Sequence, residues 1–427
     1  MNKLFLVLDN LLGIRGQLNL DKIENVIMDS RKVQKGDLFF AINNGNQYIN
    51  EVLEKGASIV VADNYLGDDK RVFKVPNTVE FMQKLAKEYR EALGLKVIAI
   101  TGSNGKTTTK DMIYSVLSRK YITKKTEGNY NNHIGLPFTI LQLKEKDEIV
   151  VLEMGMSGFG EIDLLSSIAK PDIGVITNIG DSHLEFLKTR ENVFKAKTEL
   201  LNYVSSENTY IIGDDQYLKN VVGNKIGFNR ENNFVIEDFI DSNDGMSFKV
   251  ENSEYTLNLN GKHNALNAGM AIVIGKRFGL TSEEIKEGLK NLHLTPMRFQ
   301  KIEKEDIIYI NDAYNASPIS MEYSLNTFDK LYNNMKKIVV LGDMLELGEK
   351  EIEFHREIIE KALSIKCDKI YLYGERMKKA YDLLEKNDKI RCFNDKEDIV
   401  KLIANETEKI AVLLKGSRGM KLEEIIK

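Results

Sequence analysis

The sequence contains no tryptophan, only two cysteines and no long hydrophobic run. Cys367 and Cys392 lack the spacing of metal ligands, so we expect reduced structural thiols rather than a disulfide. No run reaches the roughly 18 apolar residues that a membrane span requires. The apolar segment Met1–Leu12 is interrupted by Asp9 and lacks the pattern of a signal peptide. We therefore expect a cytoplasmic protein that is not inserted into a membrane.

An excess of positive charge is also missing. The net charge is −4, from 60 Lys and Arg against 64 Asp and Glu, which argues against a general nucleic-acid binder. The content of 42% hydrophobic and 29% charged residues is typical of a globular protein. Because 427 residues exceed one ordinary hydrophobic core, two or three domains are expected.

The stretch VIAITGSNGKTTTKDM, Val97–Met112, has the pattern of a buried strand, a glycine turn and a helix. Gly102 and Gly105 permit the tight turn, and Lys106 and Thr107 follow directly. A loop that enters a helix directs backbone N–H groups and the positive end of the helix dipole at an anion. The lysine offsets phosphate charge, and the threonine hydroxyl can hold Mg²⁺. The stretch therefore predicts binding of a nucleotide phosphate.

Alternating strand and helix patterns predict an α/β protein of three domains. Residues 1–94 form a small N-terminal α/β domain, residues 95–295 a central P-loop domain with a parallel sheet, and residues 296–427 a C-terminal Rossmann-like α/β domain. Ligands bind at the carboxyl ends of parallel strands, so polar residues at those ends are the candidate site residues. Because the central and C-terminal domains both have such residues, we expect two bound molecules to react in the cleft between them.

Several polar clusters follow predicted strands of the central domain. Glu153 follows four apolar residues, where an acidic ligand of phosphate-bound Mg²⁺ is needed, and His183 follows a second apolar strand. Asn264 and Asn267 lie three apart at the start of a helix, where their amides could contact a base. For Lys197, considered alone, an ordinary solvated charge remains an open alternative.

Eight motifs occur in a fixed order along nearly the whole chain: TGSNGKTT, EGNYNNHIGLP, EMG, TNIGDSHLE followed by AKTEL, GKHNALNA, NDAYNASP, LGDMLELG and LKGSRGM. This set resembles the Mur ligases, the ATP-dependent amino-acid and dipeptide ligases of peptidoglycan synthesis. Within that family, DAYNASPISM, GDMLELG and KGSR are most similar to the branch that adds D-alanyl-D-alanine to UDP-N-acetylmuramoyl-tripeptide. The resemblance implies that ATP phosphorylates the tripeptide carboxylate and that the dipeptide amine attacks the acyl phosphate, giving the pentapeptide, ADP and phosphate.

The resemblance also implies roles for individual residues. Lys106 would neutralise phosphate charge, Thr107 and Glu153 would hold one Mg²⁺, and His183 and a carbamoylated Lys197 would hold a second. The ATP site would comprise the loop residues Gly102, Ser103, Asn104, Gly105, Lys106, Thr107 and Thr108, with Asn264 and Asn267 at the adenine, Asp312 at the ribose and Arg298 at phosphate or ribose.

The remaining implied contacts are to the two other substrates. Ser30 and Arg31 would bind the uridine part in an N-terminal UDP-sugar-binding domain, and Asn129, Asn131 and Asn132 would contact the nucleotide sugar. Asn315, Lys415, Ser417 and Arg418 would orient the peptide and dipeptide carboxylates. A monomer is expected. Two alternatives remain open: a folate- or cyanophycin-type amide ligase that shares the ATP machinery, and an ATP-binding switch protein without ligase activity.

Overall fold

The computed structural model describes residues 2–20, 22–242 and 245–426, which form three α/β units. The first unit contains α1 (Lys3–Leu12), β1 (Val26–Ile27), β2 (Leu38–Phe40), α2 (Ile49–Glu54), β3 (Ile59–Ala62), β4 (Val72–Lys74) and α3 (Thr78–Leu93). Its four strands are parallel and lie in the order β1-β2-β3-β4. The side chain of Asn77 accepts from two backbone N–H groups at the start of α3, and Gly94, at φ +70°, ends the helix.

The second unit is built on nine strands. Its elements are β5 (Lys96–Thr101), α4 (Lys106–Leu117), β6 (Thr123–Lys125), α5 (Gly135–Leu141), β7 (Ile149–Glu153), α6 (Glu161–Ala169), β8 (Ile173–Ile176), α7 (Leu184–Leu187), α8 (Arg190–Thr198), β9 (Thr209–Ile212), β10 (Asn224–Gly227), β11 (Phe234–Ser242), β12 (Gly245–Val250), β13 (Ser253–Leu257), α9 (Lys262–Arg277) and α10 (Ser282–Lys290). The strand order is β13-β12-β11-β10-β9-β8-β5-β7-β6. Only the β11-β12 and β12-β13 pairs are antiparallel, so β5, β7 and β8 direct their carboxyl ends to the same edge.

The third unit is a six-stranded sheet with helices. Its elements are β14 (Gln300–Lys304), β15 (Ile307–Asn311), α11 (Pro318–Leu331), β16 (Lys336–Gly342), α12 (Glu351–Ser364), β17 (Lys369–Tyr373), α13 (Glu375–Tyr381), β18 (Ile390–Phe393), α14 (Lys396–Ala404) and β19 (Ile410–Lys415). The order is β14-β15-β19-β16-β17-β18, with only β14 antiparallel. The apolar runs at 307–310, 337–341, 369–373 and 410–414 lie in β15, β16, β17 and β19.

Buried apolar side chains connect the first unit to the second. One core cluster includes Phe5 of α1, Leu85 of α3 and Ile140 of α5, all fully buried. Tyr89 Oη also donates to the Leu143 carbonyl at 2.8 Å. The segment beginning at Met1, predicted to be a core element rather than a signal peptide, forms α1 from Lys3 onwards. These contacts hold the first unit against the face of the second.

The polar segment 223–255 contributes strands β10–β13; Asn243 and Asp244 lie outside the described residues. Both cysteines have free thiols, Cys367 buried and Cys392 exposed. Among the described residues, no helix combines the length and the apolar character needed to cross a bilayer.

Candidate active site

The loop of residues 102–105 connects β5 to α4 and forms the floor of the site. Gly102 has φ +145°, and a Cβ atom there would lie 1.9 Å from Thr177 Oγ1, so a side chain cannot be accommodated. The backbone N–H of Asn104 donates to Asn178 Oδ1 at 3.0 Å, and Thr177 Oγ1 donates to the Asn104 carbonyl at 2.6 Å. Two residues that follow β8 therefore fix the shape of the loop at the helix N-terminus, where an anion binds favourably.

Lys106 is the first residue of α4, and its ammonium group is folded over the loop. Nζ donates to the carbonyl oxygens of Gly102 at 2.7 Å and Ser103 at 3.3 Å. Burial lowers the pKa of Lys106, while the negative charge of Glu153 opposes that shift. Since its hydrogen-bond partners are uncharged carbonyls, the ammonium keeps its capacity to attract phosphate.

Glu153 ends β7 at the carboxyl edge of the central sheet. Its Oε1 accepts from Asn131 Nδ2 at 3.0 Å, whereas its buried Oε2 has no hydrogen-bond partner and lies 3.8 Å from Lys110 Nζ. Thr107 Oγ1 accepts from Arg298 Nη2 at 2.8 Å. A buried carboxylate oxygen without a hydrogen bond is a ligand that a hard cation such as Mg²⁺ would satisfy.

Lys197 and His183 lie near Lys106 and are both desolvated. Lys197, on α8, is 1% exposed and has no hydrogen-bond or ionic partner among the described residues. Burial lowers its pKa well below the usual value, and the charge of Lys106 lowers it further. Burial likewise lowers the pKa of His183, whose Nδ1 donates to Glu346 Oε2 at 2.6 Å. Burial therefore favours the uncharged form of both side chains.

A conventional metal centre of protein side chains is not present in the described part of the chain, where no group of three or more His, Cys, Asp and Glu is arranged to hold an ion. Mg²⁺ commonly keeps several waters and shares its coordination between one or two carboxylates and substrate phosphates. The orphaned oxygen of Glu153 fits that arrangement, in which phosphate and water supply most of the ligands.

A cavity of about 270 Å³ lies between the central and C-terminal units. Seven of the residues predicted to bind the nucleotide line it: Asn104, Gly105, Thr108, Asn264, Asn267, Arg298 and Asp312. Its wall contains the His263 ring stacked on Tyr323, with centroids 5.0 Å apart and planes 9° apart. This cavity therefore has the aromatic wall, the amides and the carboxylate that a nucleoside requires.

The two asparagines at the start of α9 are held by different partners. Asn264 Nδ2 donates to the Asn260 carbonyl at 2.8 Å, and Asn267 Oδ1 accepts from Thr109 Oγ1 at 3.1 Å. The second bond connects α9 to the phosphate-loop helix α4. The amides are thus held in place before any ligand binds.

Lys415 lies in the nucleotide cavity, although its predicted partners were substrate carboxylates. Its Nζ donates to the Asn315 carbonyl at 2.8 Å and lies 2.9 Å from Asp312 Oδ2. Burial lowers the pKa of Lys415, whereas the adjacent carboxylate of Asp312 raises it. Asp312 Oδ1 also accepts from the Phe299 N–H at 3.1 Å. The Lys415–Asp312 pair therefore joins β19 to β15 and fixes the carboxylate at the cavity wall.

A second cavity of about 410 Å³ lies on the other side of the phosphate loop. The predicted residues that line it are Ser103, Asn104, Gly105, Lys106, Asn131, Asn132, Glu153, His183, Arg298, Asn315, Ser417 and Arg418. Ser30, Arg31 and Asn129 line neither cavity; the Arg31 side chain is 85% exposed and pairs with Asp29 at 2.8 Å. The structure thus brings most central and C-terminal candidates to these two cavities. Gly102, Thr107, Asn129 and Lys197 of the central unit, and Ser30 and Arg31 of the N-terminal unit, do not line them.

Two family models match this chain. The Mur ligase middle domain matches residues 100–275, and the Mur ligase, glutamate ligase domain matches residues 297–418. The UDP-N-acetylmuramoyl-tripeptide–D-alanyl-D-alanine ligase of Bacillus subtilis is 40% identical over 424 residues, covering 95% of this chain and 93% of the relative. The chain belongs to the Mur ligase family.

Solved structures of this family have the same fold. The crystal structure of MurF from Acinetobacter baumannii superposes with a TM-score of 0.89 at 26% identity, covering 99% of this chain and 97% of the other. MurF ligase from Thermotoga maritima, solved in complex with ADP, gives a TM-score of 0.83 at 31% identity, with 94% and 96% covered. As a Mur ligase of this kind, the protein is an ATP-dependent ligase of peptidoglycan synthesis.

Four residues of this Mur ligase site were not identified from the sequence. Thr177 and Asn178 follow a predicted strand, and that position alone could have indicated them. Lys110 is fully buried, and its Nζ donates to the Thr126 carbonyl at 2.9 Å; the helical pattern gives no sign of a buried lysine. Glu346 is 163 residues from its partner His183, so no local pattern could pair them.

The stacked histidine makes the stability of this Mur ligase dependent on pH. Burial is the main cause that lowers the pKa of His263 from 6.5 to about 4. The unfolded chain therefore binds this proton first, and the free energy of unfolding falls as the pH drops from about 6.5 towards 4. Between pH 7 and pH 5 we expect a loss of up to about 2 kcal/mol from this residue.

Urea unfolding at pH 7 and pH 5 measures that loss. His263→Gln should lose less stability between the two pH values than the wild type does. His293→Gln, at an exposed histidine, is the matched control and should retain the wild-type difference. Equal pH dependence in all three proteins would contradict the assignment to His263.

Proposed function

We propose that this Mur ligase joins D-alanyl-D-alanine to UDP-N-acetylmuramoyl-tripeptide, with hydrolysis of ATP to ADP and phosphate through an acyl phosphate. The main observation in support is the cavity of about 410 Å³, which is lined both by the phosphate-loop residue Lys106 and by Asn315, Ser417 and Arg418 of the C-terminal unit. This cavity therefore places a residue assigned to the phosphate donor beside the residues assigned to the peptide and dipeptide carboxylates.

In the first step, a tripeptide carboxylate oxygen attacks the γ-phosphorus and the bond from that phosphorus to the bridging oxygen breaks, releasing ADP. We assign to Lys106 the neutralisation of the transferred phosphoryl oxygens, because its ammonium is bonded only to neutral carbonyls. In the second step, the uncharged dipeptide amine attacks the acyl carbon and the bond from that carbon to the phosphate oxygen breaks. The proton that the nitrogen loses passes to the departing phosphate. The products are an amide and inorganic phosphate.

We assign a first Mg²⁺ to Thr107 and Glu153. The support is the buried Glu153 Oε2 that has no hydrogen-bond partner, together with the adjacent hydroxyl of the phosphate-loop threonine. When bound, Mg²⁺ supplies charge neutralisation and orientation of the phosphate oxygens. Asn131, bonded to Oε1 of the same carboxylate, would keep the other oxygen free for this role.

We assign a second Mg²⁺ to His183 and a carbamoylated Lys197. Only an uncharged amine reacts with CO₂, and burial lowers the pKa of Lys197, which favours the uncharged amine. The resulting carbamate carries anionic oxygen, which suits a hard cation, whereas an ammonium would repel it. The absence of any protein partner for the Lys197 amine among the described residues supports the same assignment.

For the nucleotide, we assign the adenine to Asn264 and Asn267, the ribose to Asp312, and phosphate or ribose to Arg298. All four line the cavity of about 270 Å³. The remaining loop residues Gly102, Ser103, Asn104, Gly105 and Thr108 would contribute backbone and hydroxyl contacts to the phosphates.

For the second substrate, we assign Asn131 and Asn132, and more distantly Asn129, to the nucleotide sugar, with Ser30 and Arg31 at its uridine end. Asn315, Ser417 and Arg418 would orient the carboxylates, with Lys415 acting through Asn315.

We divide the chain into domains at 1–94, 95–295 and 296–427, one for each sheet. We also propose a monomer, because one chain lines both cavities, and a cytoplasmic location, where ATP and UDP-sugars are made.

Phosphate release and product mass test the function. With ATP, Mg²⁺ and UDP-N-acetylmuramoyl-tripeptide, we expect phosphate release only when D-alanyl-D-alanine is present, and a product heavier by one dipeptide minus water. L-alanyl-L-alanine and glutamate are the control acceptors, and the tripeptide is supplied with each diamino acid at its third position.

Two other results would contradict the proposal. Phosphate release that depends on glutamate rather than on the dipeptide would indicate a folate-type ligase. Tight ATP binding with no acceptor-dependent phosphate release, for any tripeptide, would indicate a nucleotide switch.

A further inference from the structure

Glu346 belongs to the C-terminal unit, yet its side chain and backbone both contact the central unit. Its Oε2 accepts from His183 Nδ1 at 2.6 Å, and its carbonyl accepts from the Glu185 N–H at 3.1 Å. His183 and Glu346 have φ +59° and φ +64°, a region that costs energy for residues other than glycine. Gly348 fits tightly against the same segment, because a Cβ there would lie 3.0 Å from Glu185 Cα.

The segment of residues 344–348 is fixed within its own unit. The Met344 N–H donates to His355 Nε2 at 2.9 Å, and His355 Nδ1 donates to the Glu351 carbonyl at 2.6 Å. The Leu345 N–H donates to Ser417 Oγ at 2.9 Å. Glu346 is therefore presented from a rigid backbone whose neighbour, Ser417, lines the cavity assigned to the substrates.

We propose that Glu346 is a positioning residue of the ligase reaction, whose carboxylate holds the Nδ1–H of His183 and so leaves Nε2 as the unprotonated nitrogen. A carboxylate on one ring nitrogen of a histidine fixes both the tautomer and the ring orientation, and raises the basicity of the other nitrogen. This inference rests on the proposed function, in which His183 is a Mg²⁺ ligand.

The Glu346–His183 contact joins the C-terminal unit to the central unit. It therefore couples the residues assigned to the acceptor dipeptide to the proposed Mg²⁺ ligand His183. His183 is correctly oriented only while the segment of residues 344–348 lies against α7. Because the same segment is bonded to Ser417, placement of the acceptor site and orientation of His183 occur together. A ligand of the phosphoryl-transfer step is thus oriented only when the second substrate's site is in position.

If Glu346 served only to stabilise the fold, its loss would lower the melting temperature. The Glu346 side chain is 47% exposed and that of His183 is 20% exposed, and a polar pair with one partner in water contributes little to stability. Loss of Glu346 should therefore lower activity and leave the melting temperature unchanged.

Glu346→Ala tests the proposal, with Glu349→Ala as the matched control at an exposed glutamate three positions away. We expect kcat to fall about 10- to 100-fold in Glu346→Ala, with KM for ATP unchanged because the nucleotide cavity is untouched. Glu346→Gln retains a hydrogen-bond acceptor without the charge and should lose less. A kcat for Glu346→Ala equal to that of the control would overturn the proposal.

The imidazole nitrogen shifts of ¹⁵N-histidine-labelled protein give a readout that does not depend on activity. The His183 signals are assigned by their loss in His183→Gln. In the wild type they should show protonation at Nδ1, and in Glu346→Ala they should move towards the Nε2-protonated form. Unchanged His183 shifts would refute the contact. Failure of the wild type to ligate the dipeptide, with these shifts moving as expected, would refute the proposed function alone.

Discussion

Replacement of Lys106 by alanine should reduce phosphate release by about 10³-fold or more, the scale of losing a preorganised charge at a reacting oxyanion. The ammonium is already desolvated, so it acts on phosphate in a medium where water screens little. Its two hydrogen bonds to the carbonyls of Gly102 and Ser103 must be exchanged for phosphate oxygens as the nucleotide binds. Methionine at this position would keep the packing and should be equally inactive.

The fold should survive this change, because it removes a half-buried cation that has no ionic partner among the described residues. Thermal unfolding should give a melting temperature close to that of the wild type. Lys124→Ala, at an exposed lysine of the neighbouring strand β6, is the control and should retain full activity. Near-normal phosphate release by Lys106→Ala would remove the loop lysine from the mechanism.

The sequence predicted the site residues that a local pattern marks, but it could not pair residues that lie far apart along the chain. Lys106 could be predicted because it follows the glycine loop after β5, and Glu153 because it ends an apolar strand. The sheet brings the carboxyl ends of such strands together. Glu346 and His183 could not be paired in this way, since their contact depends on how two separate sheets dock. Lys415 and Asp312 are also far apart in the chain, and the pairing of β19 with β15 within one sheet brings them together.

The local sequence pattern also could not predict which lysine side chains are buried. Lys197 lies on a short helix whose composition fits a solvated face, and only the packing of α8 against the central sheet shows that it is 1% exposed. Lys110 is similar: it lies beside Asp111 on α4, and the two side chains are both fully buried. Tertiary packing, rather than helical periodicity, determines which lysine side chains are buried away from solvent.

The linker between the central and C-terminal units is attached to the phosphate-loop helix at two points. The N–H and Oγ1 of Thr295 donate to Asp111 Oδ2 at 2.7 and 2.8 Å. Arg298 Nη2 donates to Thr107 Oγ1 one helical turn earlier. Thr107, the proposed Mg²⁺ ligand, is thus in direct contact with the linker. The residues on either side of Arg298, Met297 and Phe299, have φ +64° and +51°.

Replacement of Lys197 by alanine should lower kcat by about 10²- to 10³-fold, and short carboxylates such as acetate or formate should restore part of the loss. The side chain lies in a desolvated site beside Lys106, where an anion is favoured and a second ammonium is not. A free carboxylate can enter the space that the alanine leaves and supply the missing oxygen. A recovery of about tenfold would correspond to about 1.4 kcal/mol of transition-state stabilisation.

Lys195, two positions before Lys197, provides the control for the rescue of Lys197→Ala by carboxylates. Lys195→Ala removes an exposed lysine from the same helix and should neither lose activity nor respond to carboxylates. In the wild type, removal of dissolved CO₂ should lower activity and bicarbonate should restore it, because the carbamate forms reversibly on the uncharged amine. If carboxylates do not rescue Lys197→Ala and CO₂ has no effect on the wild type, Lys197 acts as an unmodified lysine. In that case the second Mg²⁺ would lack its anionic protein ligand.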